Sequence, residues 1–141
     1  MNAPLYTTEI LRLAASLAEP GELERVDGKA EVRSPTCGSR IFILVSIDKQ
    51  GRVEAVSQRV HACAFGQASS ALLERGAIGL NQAEIETAIM QLESWLGGSE
   101  TVPHWPRIAT LAPARPRRSR HGAILLPFRA LLAAMDSAAI A

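Results

Sequence analysis

Three residues carry the chemistry open to this sequence: Cys37, Cys63 and His121. Thiolate sulfur and neutral imidazole nitrogen are the common protein ligands of zinc, iron and other transition metals. Cys37 lies in Pro35-Thr36-Cys37-Gly38-Ser39, a turn ahead of a β-branched run. Proline and glycine suit a tight, exposed backbone there, and glycine lets a ligand approach closely. Cys63 lies in Val60-His61-Ala62-Cys63-Ala64-Phe65-Gly66, where an alternating pattern gives way to a helical one. A thiol at a helix N-terminus faces the positive end of the macrodipole, which favours thiolate, the form that binds metal or attacks sulfur. His121 precedes Gly122 near the start of the last apolar segment. Each has a plainer role beside this one: a small apolar residue packing a turn, a buried cysteine capping a sheet, a histidine covering a helix end. His61 reads as a strand surface residue near Cys63, and His104, between Pro103 and Trp105, as loop packing. Arg115, Arg117, Arg118 and Arg120 form a basic run beside His121. Such a run is a solvated loop or a docking patch for an acidic partner.

Composition narrows the classes. The chain has 141 residues, which fits one domain spanning 1–141 that builds its core without disulfides. Hydrophobic residues make up 48%, well above a disordered composition. A formal net charge of +1 argues against nucleic-acid binding, and no aromatic residues interleave the arginines as single-strand binding would require. No apolar run is long enough to span a bilayer. The N-terminus lacks the pattern of a signal peptide, so a cytoplasmic location is expected. With only two cysteines in a reducing compartment, a disulfide is not expected. There is no phosphate loop, no dinucleotide fingerprint and no nucleophile elbow, so no enzyme activity is expected.

The elements that must position these side chains follow from periodicity. Thr7 or Thr8 caps a helix whose Ile10, Leu11, Leu13, Ala14 and Leu17 recur at helical spacing, up to Pro20-Gly21. Leu23–Val26 reads as a strand, Asp27-Gly28 as a hairpin turn, and Lys29–Arg33 as the returning strand. Arg40–Ile47 is rich in β-branched residues, with Ile41, Ile43, Val45 and Ile47 on one face. Asp48–Gly51 is a hairpin loop, and Val53–Val60 alternates behind it. Phe65–Arg75 is helical. Asn81 caps another helix, with Glu84 as its capping-box partner and Ile85, Ala88, Ile89, Leu92, Trp95 and Leu96 as its stripe. A proline-rich connection covers Val102–Pro116. The last helix is expected from His121 to Ala138, kinked or delayed by Pro127. Strands followed by helices predict an α+β domain.

These blocks resemble one family. Pro35-Thr36-Cys37-Gly38 entering Ile41–Asp48 is similar to the first cysteine block of the NifU N-terminal, IscU and SufU iron–sulfur cluster assembly scaffolds, where Cys-Gly-Asp precedes an alternating strand. The strand Arg52–His61 followed by Ala62-Cys63-Ala64-Phe65-Gly66-Gln67-Ala68-Ser69-Ser70 is similar to their second block. The spacing between the cysteines is similar too. The family's third cysteine is absent: Gly122 or Ala123 stands in its place, with His121 at or beside the family's histidine. Ser39 replaces the aspartate that makes the family's cluster labile. Leu111-Ala112-Pro113-Ala114-Arg115 is only loosely similar to the family's Leu-Pro-Pro-Val-Lys chaperone motif, so no chaperone partner is inferred.

The resemblance implies a three-stranded antiparallel sheet with helices mainly on one face. It implies a scaffold or carrier that takes sulfur from a cysteine desulfurase and iron from elsewhere, holds a transient [2Fe-2S] cluster on Cys37, Cys63 and His121, and passes it to recipient apoproteins. Zinc would accept the same donors with water in the fourth place. Two alternatives follow from the missing ligands: a non-assembling adaptor that binds the desulfurase, or a zinc-dependent SufU-like sulfur-transfer protein with Cys63 as acceptor.

Overall fold

The computed structural model describes residues 6–35 and 38–140, with side chains as far as residue 138. Thr7 caps α1 (Thr8–Ala15), its hydroxyl accepting the Ile10 N–H at 3.1 Å, and Ile10, Leu13 and Ala14 are buried. Three strands follow: β1 (Gly28–Arg33), β2 (Arg40–Ile47) and β3 (Val53–His61). They form an antiparallel sheet in the order β1-β2-β3. Ile41, Ile43 and Val45 all point inward and are fully buried, as their alternation predicts.

Helices α2 (Ala64–Gly76), α3 (Gln82–Leu96) and α4 (Arg118–Ile140) complete the fold, with a 3-10 turn over Ile108–Ala114. Asn81 and Glu84 form the expected capping box on α3. Helix α4 packs across β1 and β2, α2 packs on β3 and α4, and α1 packs on α2. Trp105 knits this layer together. Its indole N–H donates to the Leu72 carbonyl at 2.8 Å, and its ring meets Phe128 edge-on at 4.9 Å.

The structure departs from sequence periodicity in two places. Leu23–Val26 is not a strand, and Asp27-Gly28 is not a hairpin turn. The segment instead crosses the outer face of the sheet, where Gly21 exchanges two hydrogen bonds with the Ser57 hydroxyl. Asp27 then ties the chain to β2: its N–H donates to Val45 and its carboxylate accepts the Ile47 N–H at 2.6 Å. The last helix also begins earlier than His121, at Arg118, and runs through Pro127 to Ile140. Proline lacks the N–H that would bond the Ala123 carbonyl. Burial of Ile124, Leu125, Leu126 and Phe128 around it holds the helix together nonetheless.

The Asp27 anchor makes a pH prediction. Its carboxyl is held below the ordinary carboxylate value, first by the Ile47 N–H bond and then by Arg25, 3.0 Å away. A depressed folded value contributes stability that is complete above the unfolded value of 3.8 and is lost as pH falls through the lower folded one. Asp27→Asn is therefore expected to unfold more readily than wild type at neutral pH, with the gap in urea midpoint closing below about pH 4. A gap independent of pH would show that ionisation of Asp27 contributes nothing.

Candidate functional site

Strand β3 ends at His61, and Cys63 is the N-cap residue of α2. Its backbone is extended, its carbonyl accepts the Gln67 N–H, and its side chain makes no capping hydrogen bond. The sulfur is half-buried at the edge of the core. Gln67 closes the junction from the next turn, its amide donating to the Ala62 carbonyl at 3.0 Å. The strand-to-helix switch that the sequence placed here is thus a defined corner with the thiol at its apex.

The N-terminal parts of α2 and α4 lie side by side. A methyl group on Gly66 would stand 3.4 Å from the Ala123 Cβ and 2.5 Å from that of Ala62, so only glycine fits. Buried Ser69 donates to the Ile124 carbonyl at 2.6 Å. Gly66 and Ser69 are the positioning residues that periodicity did not single out. The Ala and Ser richness of this segment was the available signal, since small residues permit close helix approach.

His121 lies just ahead of that contact on α4. Its Nε2 sits 3.0 Å from the Ala114 carbonyl and 2.9 Å from that of Arg115, so Nε2 carries the proton and donates to both. This fixes the ring and leaves Nδ1 as the lone-pair nitrogen. A backbone carbonyl on the far ring nitrogen is the usual arrangement behind a metal-binding imidazole. His121 also borders a cleft of about 610 Å³ with Gly97, Gly98, Arg115 and Arg118.

Cys37 lies outside the described residues, so its place relative to Cys63 and His121 is not defined. Among the described residues, no three histidine, cysteine or acidic side chains gather into a metal site. Ser39 is buried, and its carbonyl accepts the Ser34 N–H at 2.8 Å. His61 is exposed at the strand end, and His104 is exposed in its loop.

Arg115 separates from the basic run. Its guanidinium donates to the Trp95 carbonyl at 2.9 Å and to Ser99, and lies 5.0 Å over the Trp95 ring. It closes the C-terminal end of α3, where carbonyls lack helical partners. Arg115→Ala is expected to cost about 2 kcal/mol, and Arg115→Lys to recover only part, because a point charge cannot make both bonds and stack. Urea denaturation of the two variants checks this; full recovery by lysine would mean that charge alone matters.

A family model, the NifU-like N terminal domain, matches residues 5–104. The crystal structure of a nitrogen-fixing NifU-like protein (N-terminal) from Brucella abortus superposes with a TM-score of 0.87 at 28% identity, covering 96% of this chain and 95% of that one. A candidate iron–sulfur cluster assembly scaffold for the SUF system from Fervidobacterium islandicum AW-1 superposes at 0.81 with 21% identity, covering 93% and 96%. No curated protein matches the chain.

Proposed function

The chain belongs to the family of NifU-like N-terminal domains, and on that premise we propose that it is an iron–sulfur cluster assembly scaffold whose cargo is held by Cys37, Cys63 and His121. The observation that carries this reading is the packing of α2 against α4 near their N-termini. The two helices pack together there through Gly66 and Ala123, so Cys63 and His121 belong to adjacent elements. The β1–β2 connection containing Cys37 leaves the sheet at the end where β3 hands over to α2.

The donors fit the cargo in kind. Thiolates are the ligands of iron–sulfur clusters, and imidazole replaces them in some centres. Cys63 has no competing capping bond, and His121 presents Nδ1 as its lone-pair nitrogen. The cargo is a transient [2Fe-2S] cluster, built from sulfur supplied by a cysteine desulfurase and released to recipient apoproteins. Solvent or a partner's thiol completes the ligand set, which makes release easy. The cytoplasm, where thiols stay reduced, is the compartment that suits this chemistry. Among the described residues, no helix is long and apolar enough to cross a membrane.

Two thiolates and one imidazole also equal the protein ligands of a zinc site with an open fourth position. That donor count favours a second reading, in which zinc guards a sulfur-accepting Cys63 or stabilises an adaptor that docks a desulfurase. Iron, acid-labile sulfide and zinc per chain, measured after anaerobic purification and reconstitution, separate the two. Iron and sulfide in equal amounts, reduced in His121→Ala, support the scaffold. Zinc without sulfide supports the second reading, and no metal under any condition removes the site.

A further inference from the structure

Beyond the cluster chemistry, the sheet has a face that the fold leaves bare. Residues directly opposite across antiparallel strands point to the same side. The pairing therefore sets Arg33, Arg40 and His61 in one row across the three strands, and Glu31, Phe42 and Arg59 in the next. All six are exposed, and Phe42 retains 38% of its surface. The other half of this outer face is covered in part, with Lys29 exposed at its β1 edge. Ser46 and Ser57 are buried there, and Ser57 is bonded to Gly21 of the segment that crosses from α1 to β1. Near its start that segment borders the β3 edge, where Leu17–Pro20 line a groove with Arg59 and His61, while Arg33, Arg40, Phe42, Arg59 and His61 remain exposed. The bare half is the one next to Cys63 and to the connection that contains Cys37.

The composition of this half is costly for a free protein. Like charges directly opposite one another on a sheet repel, and here Arg33 faces Arg40. Arg33 pairs with Glu31 at 3.3 Å, but neither Arg40 nor Arg59 forms an ion pair with any described residue. An exposed aromatic ring sits among them. A cationic rim around an apolar centre is complementary to acidic side chains flanking an apolar one. A second copy of the chain is disfavoured as the occupant, because two such faces brought together repel.

We propose that the outer sheet face formed by Arg33, Arg40, Phe42, Arg59 and His61 is a docking surface for an acidic polypeptide segment of a partner protein, with an apolar side chain of that segment seated on Phe42. Its position lets the partner's segment reach the thiol end of the sheet without crossing the helical layer. The arginines at the start of α4 (Arg117, Arg118 and Arg120) are the rival site, since they are also cationic and also lack ion pairs with described residues.

The test is a titration of isotope-labelled protein at low salt with a synthetic peptide of about twelve residues, glutamates around a central leucine, followed by amide chemical shifts. Shifts are expected on β2 and β3 around Phe42 and Arg59. The double variant Arg40→Glu with Arg59→Glu is expected to bind about tenfold more weakly, and Phe42→Ser several-fold more weakly, at unchanged Tm. An all-glutamate peptide is expected to bind more weakly than the leucine-centred one. Shifts confined to residues 117–120, unchanged affinity in the double variant, or tighter binding of a single-stranded oligonucleotide than of the peptide would each overturn the proposal.

Discussion

Cys63→Ser is expected to lower bound iron and sulfide by at least about tenfold while leaving the protein as stable as wild type or slightly more so. The two halves of this expectation have separate physical causes. Serine offers a hard, protonated oxygen in place of a soft thiolate, and iron in a cluster or zinc in a sulfur site prefers the latter strongly. At the same time Cys63 is the N-cap of α2 and makes no capping bond, whereas serine is among the best N-cap residues. A hydroxyl there can accept an otherwise unpartnered helix N–H, worth about 0.5–1 kcal/mol. Loss of cargo together with an unchanged or raised Tm would therefore identify a ligand rather than a structural cysteine. Full occupancy in the variant would remove Cys63 from the site, and a large fall in Tm would mean that its packing matters more than its sulfur.

Gly28→Val is expected to destabilise the protein by about 3 kcal/mol or more, lowering Tm by roughly 10 °C. The strand β1 lies so close to α4 that a side-chain carbon at Gly28 would fall within the van der Waals surface of the Ala134 carbonyl oxygen, with the carbonyl carbon at 2.9 Å. The obstacle is helix backbone, so no rotamer change relieves it. The same contact satisfies the edge of the sheet: Ser137 accepts the Lys29 N–H at 3.0 Å and donates to the Ala134 carbonyl at 2.8 Å. Pushing α4 away therefore loses packing and these bonds together. Thermal unfolding followed by circular dichroism measures the effect. A Tm within about 2 °C of wild type would show that α4 can shift at little cost.

The local signals were strong where one element could be judged by itself. The Asn81–Glu84 capping box, the Thr7 cap, the inward row of Ile41, Ile43 and Val45, and the switch from strand to helix at Cys63 all stand as periodicity and capping rules predict. The two cysteine blocks named the family for the same reason: each is a short continuous stretch whose meaning depends on its own neighbours. The failures share a different cause. Asp27-Gly28 has the composition of a hairpin turn, but its carboxylate is used by Ile47 and its glycine by Ala134. Arg115 looks like one of four solvated arginines until Trp95 and Ser99 claim it.

What the sequence alone determined, then, was the set of elements and the residues at their junctions, because caps, turns and hydrophobic periods act over a few residues. Tertiary structure decided which helix backbone approaches which strand and which carbonyls hold the His121 ring. It also decided which half of the sheet the α1–β1 segment covers. Those outcomes depend on chain segments meeting across long separations, as Lys29 meets Ser137. Such meetings are selected by burial of the whole core, and no local pattern encodes them.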